Sequence, residues 1–281
     1  MRLQTTLLAA VAATFAAGFG ASSAQAATVE IEDAVARVTV VPENRSDIKI
    51  EVISPNAKLP LTVRTAGDRT ILDGDLDRRI RSCRSTGERS QVHVRGVGDI
   101  GWAQMPQVVI RTPRDVKVEA DGAVFGSVGR SASLELGNSG CGDWTIANVE
   151  GAARVSQAGS GDTRMGSSGS LKVRVAGSGD VATADVRGGL DINIAGSGSA
   201  SVRSVNGPLE VSIAGSGDVD IGSGRATAMK VSVAGSGDVE FGGTADSLRA
   251  RIAGSGDVHA HEVKGEISKS IMGSGSVRVG G

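Results

Sequence analysis

From Leu171 onward, apolar and polar residues alternate with a period of two: Leu171-x-Val173-x-Val175, Leu190-x-Ile192-x-Ile194, Leu209-x-Val211-x-Ile213 and Met229-x-Val231-x-Val233. That period predicts strands with one buried face, because the apolar positions of a helix recur every three or four residues. Each run ends in a glycine turn, Gly-Ser-Gly-Asp/Ser, beginning at Gly159, Gly177, Gly196, Gly215, Gly235, Gly254 and Gly273. Gly140-Cys141-Gly142-Asp143 is the same element with Cys in the Ser place, and the spacings from it are 19, 18, 19, 19, 20, 19 and 19 residues. A second strand follows each turn, starting at Val181, Val219, Val239, Val258 and Val277, and a second corner reads Val-x-Gly at Val149, Val186, Val205 and Val263. Each unit is strand, glycine turn, strand, corner.

One such unit has a single apolar face and cannot bury it alone, so neighbouring units must stack. Stacked copies pair equivalent strands in parallel, and parallel β connections are right-handed. The sequence therefore predicts an all-β protein, a right-handed parallel β-helix (solenoid) over residues 108–281 with coils of about 19 residues. An antiparallel sandwich or barrel is the structural rival, since hairpins also use glycine turns. Ile192, Val211 and Val231 are expected in one buried column that continues to Ala250 and then Lys269. A lysine in that place deters addition of another coil, so a monomer or side-to-side oligomer is expected.

Residues 27–107 lack the repeat, yet Val29-Glu30-Ile31, Val38-Thr39-Val40, Ile48 to Ile53, Leu61 to Arg64 and Gln91 to Arg95 alternate like strands. This strand-rich section is expected to cap the N-terminal end of the solenoid, because an open coil end invites aggregation. Ahead of it, Met1-Arg2, the apolar run Leu7 to Phe19 and Ala24-Gln25-Ala26 have the form of a signal peptide cleaved after Ala26. Neither cysteine lies near that point, so a lipoprotein is not expected. No membrane span is expected either, because no later stretch approaches 18 continuous apolar residues. The expected location is periplasmic or secreted.

Composition sharpens this picture. There are 41 Gly, four Phe, two Trp and no Tyr, which suits thin β layers filled by Val, Ile and Leu. With 30 basic and 31 acidic residues the chain lacks the long-range field that gathers nucleic acid or anionic membrane. Glu135, Arg154, Lys172, Asp191, Glu210, Lys230, Arg249 and Ser268 stand five residues before their turns and are expected to form one outward ladder of mixed sign. Such a ladder is a solvated face whose neighbouring rungs pair weakly.

Candidate chemistry is sparse. Asp143, Asp162, Asp180, Asp218, Asp238 and Asp257 occupy equivalent turn positions, where a divalent cation held between rungs is one reading. The nine-residue Gly-Gly-x-Gly-x-Asp rule of calcium-binding repeats is absent, so the preferred reading is that each Asp accepts hydrogen bonds from backbone N–H groups of its own turn. Asp73, Asp75 and Asp77 alternate, but position 12 of that would-be calcium loop is Arg84. His259 and His261 lack a third metal ligand. No nucleophile elbow, dinucleotide fingerprint or P-loop occurs, so neither a catalytic set nor a cofactor is assigned. Cys83 and Cys141 form an even pair that in an oxidising compartment is usually joined, which would staple the opening section to the first glycine turn. Two separate buried thiols are the other reading.

The strand-rich opening from Ile31 to Val52, the Pro-containing strand pair Val108 to Val118 and the Ala-Gly-Ser-Gly-Asp-Val repeats together resemble the head GIN domain family of autotransporter adhesins. That resemblance covers nearly all of the expected mature chain and implies a β-helix; it brings no catalytic or ligand residues. A complete autotransporter is not expected, because no membrane β-barrel follows the repeats. Two functions are then in play. One is a non-catalytic cell-envelope module, binding, adhesin-like or structural, whose partner is an envelope glycan or protein. The alternative is a polysaccharide lyase or hydrolase on a β-helix scaffold, which needs a walled cleft with grouped carboxylates that units of near-constant length do not provide.

Overall fold

The computed structural model describes residues 28–85 and 87–280; the signal cleavage site expected after Ala26 lies outside them. The fold is a parallel β-solenoid of about nine turns with the 19-residue spacing of the repeat. Leu190–Gly196 lies between Ser170–Gly177 and Ala200–Gly215, all parallel and in the register the repeats imply. Ile192 pairs with Val211, Val211 with Val231, Val231 with Ala250 and Ala250 with Lys269. The first four of these are at most 3% exposed. Burial of each Val or Ile removes enough apolar surface to contribute roughly 1.5–3 kcal/mol, so stacking supplies the stabilisation that no single coil has. Lys269 keeps the column's register but is exposed at the rod's end, and its Nζ donates to the Val277 carbonyl of the following strand at 2.8 Å.

The turns stack as tightly as the strands. Gly215 has φ +140°, and a Cβ placed there would lie 2.2 Å from the Gly196 carbonyl oxygen on the preceding coil. Ser216 N–H donates to that same carbonyl at 3.0 Å. Both the backbone conformation and the approach of the next coil therefore require glycine. Size matching inside the rod follows the same logic: Trp144 is 1% exposed and pairs with Gly126, where a Cβ would meet the indole at 2.3 Å.

The opening section is partly rod and partly lateral unit. Thr28–Glu43 runs parallel to Asp115–Val128 on one side and to Arg69–Asp73 and Gln107–Pro113 on the other, so it is a rung inside the stack. The outermost edge is closed by two antiparallel strands, Lys49–Ser54 on Gln107–Pro113 and Thr62–Ala66 on Arg69–Asp73. Those two strands end parallel propagation, as an edge requires. Ile80–Arg84, Gln91–Val94 and Gly98–Gly101 form a separate antiparallel sheet. Its side chains Val92, Val94 and Ile100 share a second core with Val35, Ala123 and Phe125, which point outward from the first rungs. This small sheet covers the flank of the rod, not its end. Among the described residues no helix is long and apolar enough to cross a membrane.

Candidate functional site

The aspartate positions come together as a ladder, and their partners differ from the expected ones. The Asp143 Oδ1 accepts from the Asp162 N–H at 3.0 Å, and Asp162 Oδ1 from the Asp180 N–H at 3.0 Å. Asp180 Oδ1 accepts from Ser199 N–H, Asp218 from Asp238, and Asp238 from Asp257, at 2.8–2.9 Å. Asp257 Oδ1 takes both the N–H and the hydroxyl of Ser276. Each carboxylate thus reaches the equivalent backbone N–H of the next coil, not its own turn, because stacking places a free donor one rung away. These contacts hold the Asp257 carboxyl below its usual range, chiefly through the Ser276 hydroxyl. Among the described residues no group of three His, Cys, Asp or Glu is arranged to hold a metal ion.

The sulfurs of Cys83 and Cys141 are bonded, with their Cα atoms 6.0 Å apart. The bridge joins the lateral sheet to the Cys-containing glycine turn, and the Ser85 hydroxyl adds a hydrogen bond to the Cys141 carbonyl at 3.1 Å. The three histidines stay apart from any cluster: His93 Nδ1 lies 2.7 Å from Asp99, His259 Nε2 lies 2.9 Å from the Gly280 carbonyl, and His261 is exposed.

The outward ladder forms in the expected register, Glu135 through Ser268, one residue per rung. Glu135 lies 3.8 Å from Arg154 and 4.0 Å from Lys117, and Lys172 pairs with Asp191. What the alternation did not reveal is the groove beside it. Two residues before each ladder position stand Ser133, Ala152, Ser170, Gly189, Pro208 and Ala228, whose small side chains leave a trough parallel to the rod axis. The intervening Leu134, Leu171, Leu190 and Leu209 point inward, at most 3% exposed, and underlie a lining to which Ala152, Pro208 and Ala228 add apolar surface. The cavity is about 590 Å³ and crosses seven rungs, which at the inter-strand spacing is about 30 Å. A second, smaller cavity continues it past Ser247 and Arg249 to Glu266 and Ser268. The sequence carried a signal for it, a small residue at the same offset in most units, with Pro208 and Glu266 the departures, but small residues at a corner equally serve close packing.

Near the groove's N-terminal end, Glu119 lies across Gly137 of the adjacent rung, where a Cβ would sit 1.9 Å from its carboxylate. Burial raises the Glu119 carboxyl above its ordinary value, with Lys117 opposing the shift. At the Val-x-Gly corner just before Gly189, Asp185 is ion-paired to Arg203, and that guanidinium with the Ser204 hydroxyl lowers its carboxyl to about 2.

No curated protein matches the chain. A crystal structure from Parabacteroides distasonis, described as a "Putative lipid binding protein", superposes with a TM-score of 0.51 at 18% identity, covering 90% of this chain and 92% of that one. A "putative adhesin" from Bacteroides fragilis superposes with a TM-score of 0.45 at 15% identity, covering 91% and 93%. The first of these likenesses extends the shared fold over the non-repetitive opening. The family described as "Putative auto-transporter adhesin, head GIN domain" matches residues 106–223 and again 190–281, the two matches overlapping inside the repeats and together spanning well over half the chain. With its glycine-turn solenoid in the register the repeats demand, the chain belongs to that head GIN domain family.

Proposed function

We propose that this protein is a non-catalytic binding module of the cell envelope, exported to the periplasm or beyond, that takes an extended polymer lengthwise in its axial groove. The observation that carries this reading is the groove itself. It is straight, about 30 Å long and lined largely by small and apolar residues, and it is edged by charges of both signs at a rung's spacing. A chain molecule, either a glycan strand or an extended polypeptide of the envelope, fits such a trough better than a compact ligand does. Short coils of near-constant length raise no walls around it, so the surface favours contact over enclosure, which is the opposite of what a hydrolytic cleft needs. The groove lies wholly within residues 108–281, the part we assign as rod; residues 27–107 then serve to close its end and brace its flank.

The test is a glycan array and a set of envelope protein extracts probed with wild type and with Gly189→Leu. A Cβ at Gly189 meets only Pro208 at 3.5 Å, ordinary contact, so the leucine fills the trough without disturbing the coil. Loss of binding with an unchanged melting temperature supports the groove. Equal binding by the variant overturns it, and turnover of an acidic polysaccharide by wild type overturns the non-catalytic reading. Since one structural neighbour is described as lipid binding, liposomes belong in the same screen.

A further inference from the structure

A further cavity of about 340 Å³ lies on the other side of the glycine turns, at the seam between the rod and the lateral sheet. Its inner side is an outward-facing row in register across four rungs: Thr39, Ser127, Thr145 and Arg164. Arg37, between Gln107 and Phe125 in the adjacent row, points to the same space. The Arg37 guanidinium carbon stands 5.2 Å from the centroid of the Trp102 ring, and Trp102 meets Phe125 edge to face at 5.5 Å. That stack fixes the guanidinium in one place.

Arg37 is a cation without an anion. Its Nε is buried with no hydrogen-bond partner, and among the described residues neither Arg37 nor Arg164 forms an ion pair. A partly desolvated charge is costly unless an opposite charge meets it. The carboxylate that lines the cavity, Asp143, already spends Oδ1 on the Asp162 N–H. Cations therefore outnumber anions: the Arg37 and Arg164 guanidiniums share the cavity with one carboxylate, and the hydroxyls and the Gln107 amide around them are neutral groups that can donate or accept. A planar guanidinium pairs a planar carboxylate through two parallel N–H bonds, and a row of hydroxyls beside it suits a ligand with hydroxyls of its own.

We propose that this seam pocket binds a carboxylate-bearing sugar residue, a uronate, with Arg37 taking the carboxylate and the Thr39–Ser127–Thr145 row taking ring hydroxyls. The cavity volume is in the small-ligand range, enough for one or two sugar residues. The site is separate from the axial groove and stands or falls without it.

The experiment is titration of the full exported chain by calorimetry and tryptophan fluorescence, since Trp102 lines the pocket whereas Trp144 is buried in the rod. The probes are glucuronate, a short oligogalacturonate, galactose and acetate. Saturable binding of glucuronate or the oligomer, with galactose and acetate at least tenfold weaker, is the expected result. A preference for the oligomer over the monomer assigns the residue to a polymer, and equal affinity assigns a free sugar acid. Arg37→Gln should weaken uronate binding at least tenfold, and Arg37→Lys should recover only part, because the ammonium lacks the fork. Should Arg37→Gln fail to fold, Arg164→Gln at the exposed rim serves, with an expected loss of several-fold. Gly189→Leu should leave uronate binding intact, which separates this site from the groove. No uronate response, equal binding of acetate or galactose, or undiminished binding by both arginine variants would overturn the proposal.

Discussion

Residues 170–280 and residues 28–165 contribute rungs to the same rod, yet one half is bare and the other is clothed. In the later coils the interior position nearest the glycine turn is aliphatic on every rung, Val175, Ile194, Ile213, Val233 and Ile252. In the earlier ones the same column holds Asn138 and Gln157, both at most 3% exposed. Asn138 Nδ2 donates to the Gly142 carbonyl at 2.8 Å and to Gln157 Oε1 at 3.2 Å, and the Thr163 hydroxyl joins at the same oxygen. On the outside, the later coils alternate polar residues toward solvent, whereas Val35, Ala123, Phe125 and Cys141 face outward in the earlier ones and are covered by the lateral sheet. The contrast teaches that the glycine turns and strand period make the rod, while departures from the repeat decide what attaches to it. The attachment in turn creates a seam that a uniform rod lacks.

Five variants break or sharpen that contrast. Val211→Asp puts an unpaired carboxylate in the dry column of the bare half and should cost several kcal/mol, seen as a large fall in melting temperature. A change of a degree or two would mean the two halves do not share a buried column. Replacing Cys83 and Cys141 together by serine opens a loop of 58 residues and should cost about 2–4 kcal/mol. Hydrogen exchange should then rise in residues 74–106 while residues 150–280 keep their protection; uniform loss would show that the lateral sheet and rod fold as one unit.

Smaller effects probe the turns. Asp218→Ala removes one inter-coil hydrogen bond, from the Asp238 N–H, and should cost about 1 kcal/mol by thermal or denaturant melting. The same change at Asp143, whose neighbours also line the seam, should in addition alter uronate binding. Smallest is the Asp185–Arg203 pair at the second corner. Because the folded carboxyl lies at about 2, below its ordinary 3.8, its contribution is present above pH 4 and fades as pH falls through 2. Asp185→Asn should therefore lower the melting temperature only slightly at pH 7, the pair being exposed, and the difference from wild type should vanish by about pH 2.

The alternation of Leu190, Ile192 and Ile194, the glycine spacing and the turn serines were enough to determine the parallel rod, its register and the outward charge ladder. Each of those is a local rule repeated, and repetition converts a local rule into a global one because every coil meets a copy of itself. The rung position of Thr28–Glu43 was not legible, since its partners Arg69–Asp73 and Asp115–Val128 come from distant, unrepeated sequence. Nor was the aspartate pairing with the next coil: a turn residue and an inter-coil staple look alike until stacking brings the donor within 3 Å. The groove depends on the depth difference between two neighbouring columns, and the seam pocket on Arg37, Trp102 and Arg164 meeting across more than a hundred residues. Contacts of that kind have no period to betray them, so only the tertiary structure could decide them.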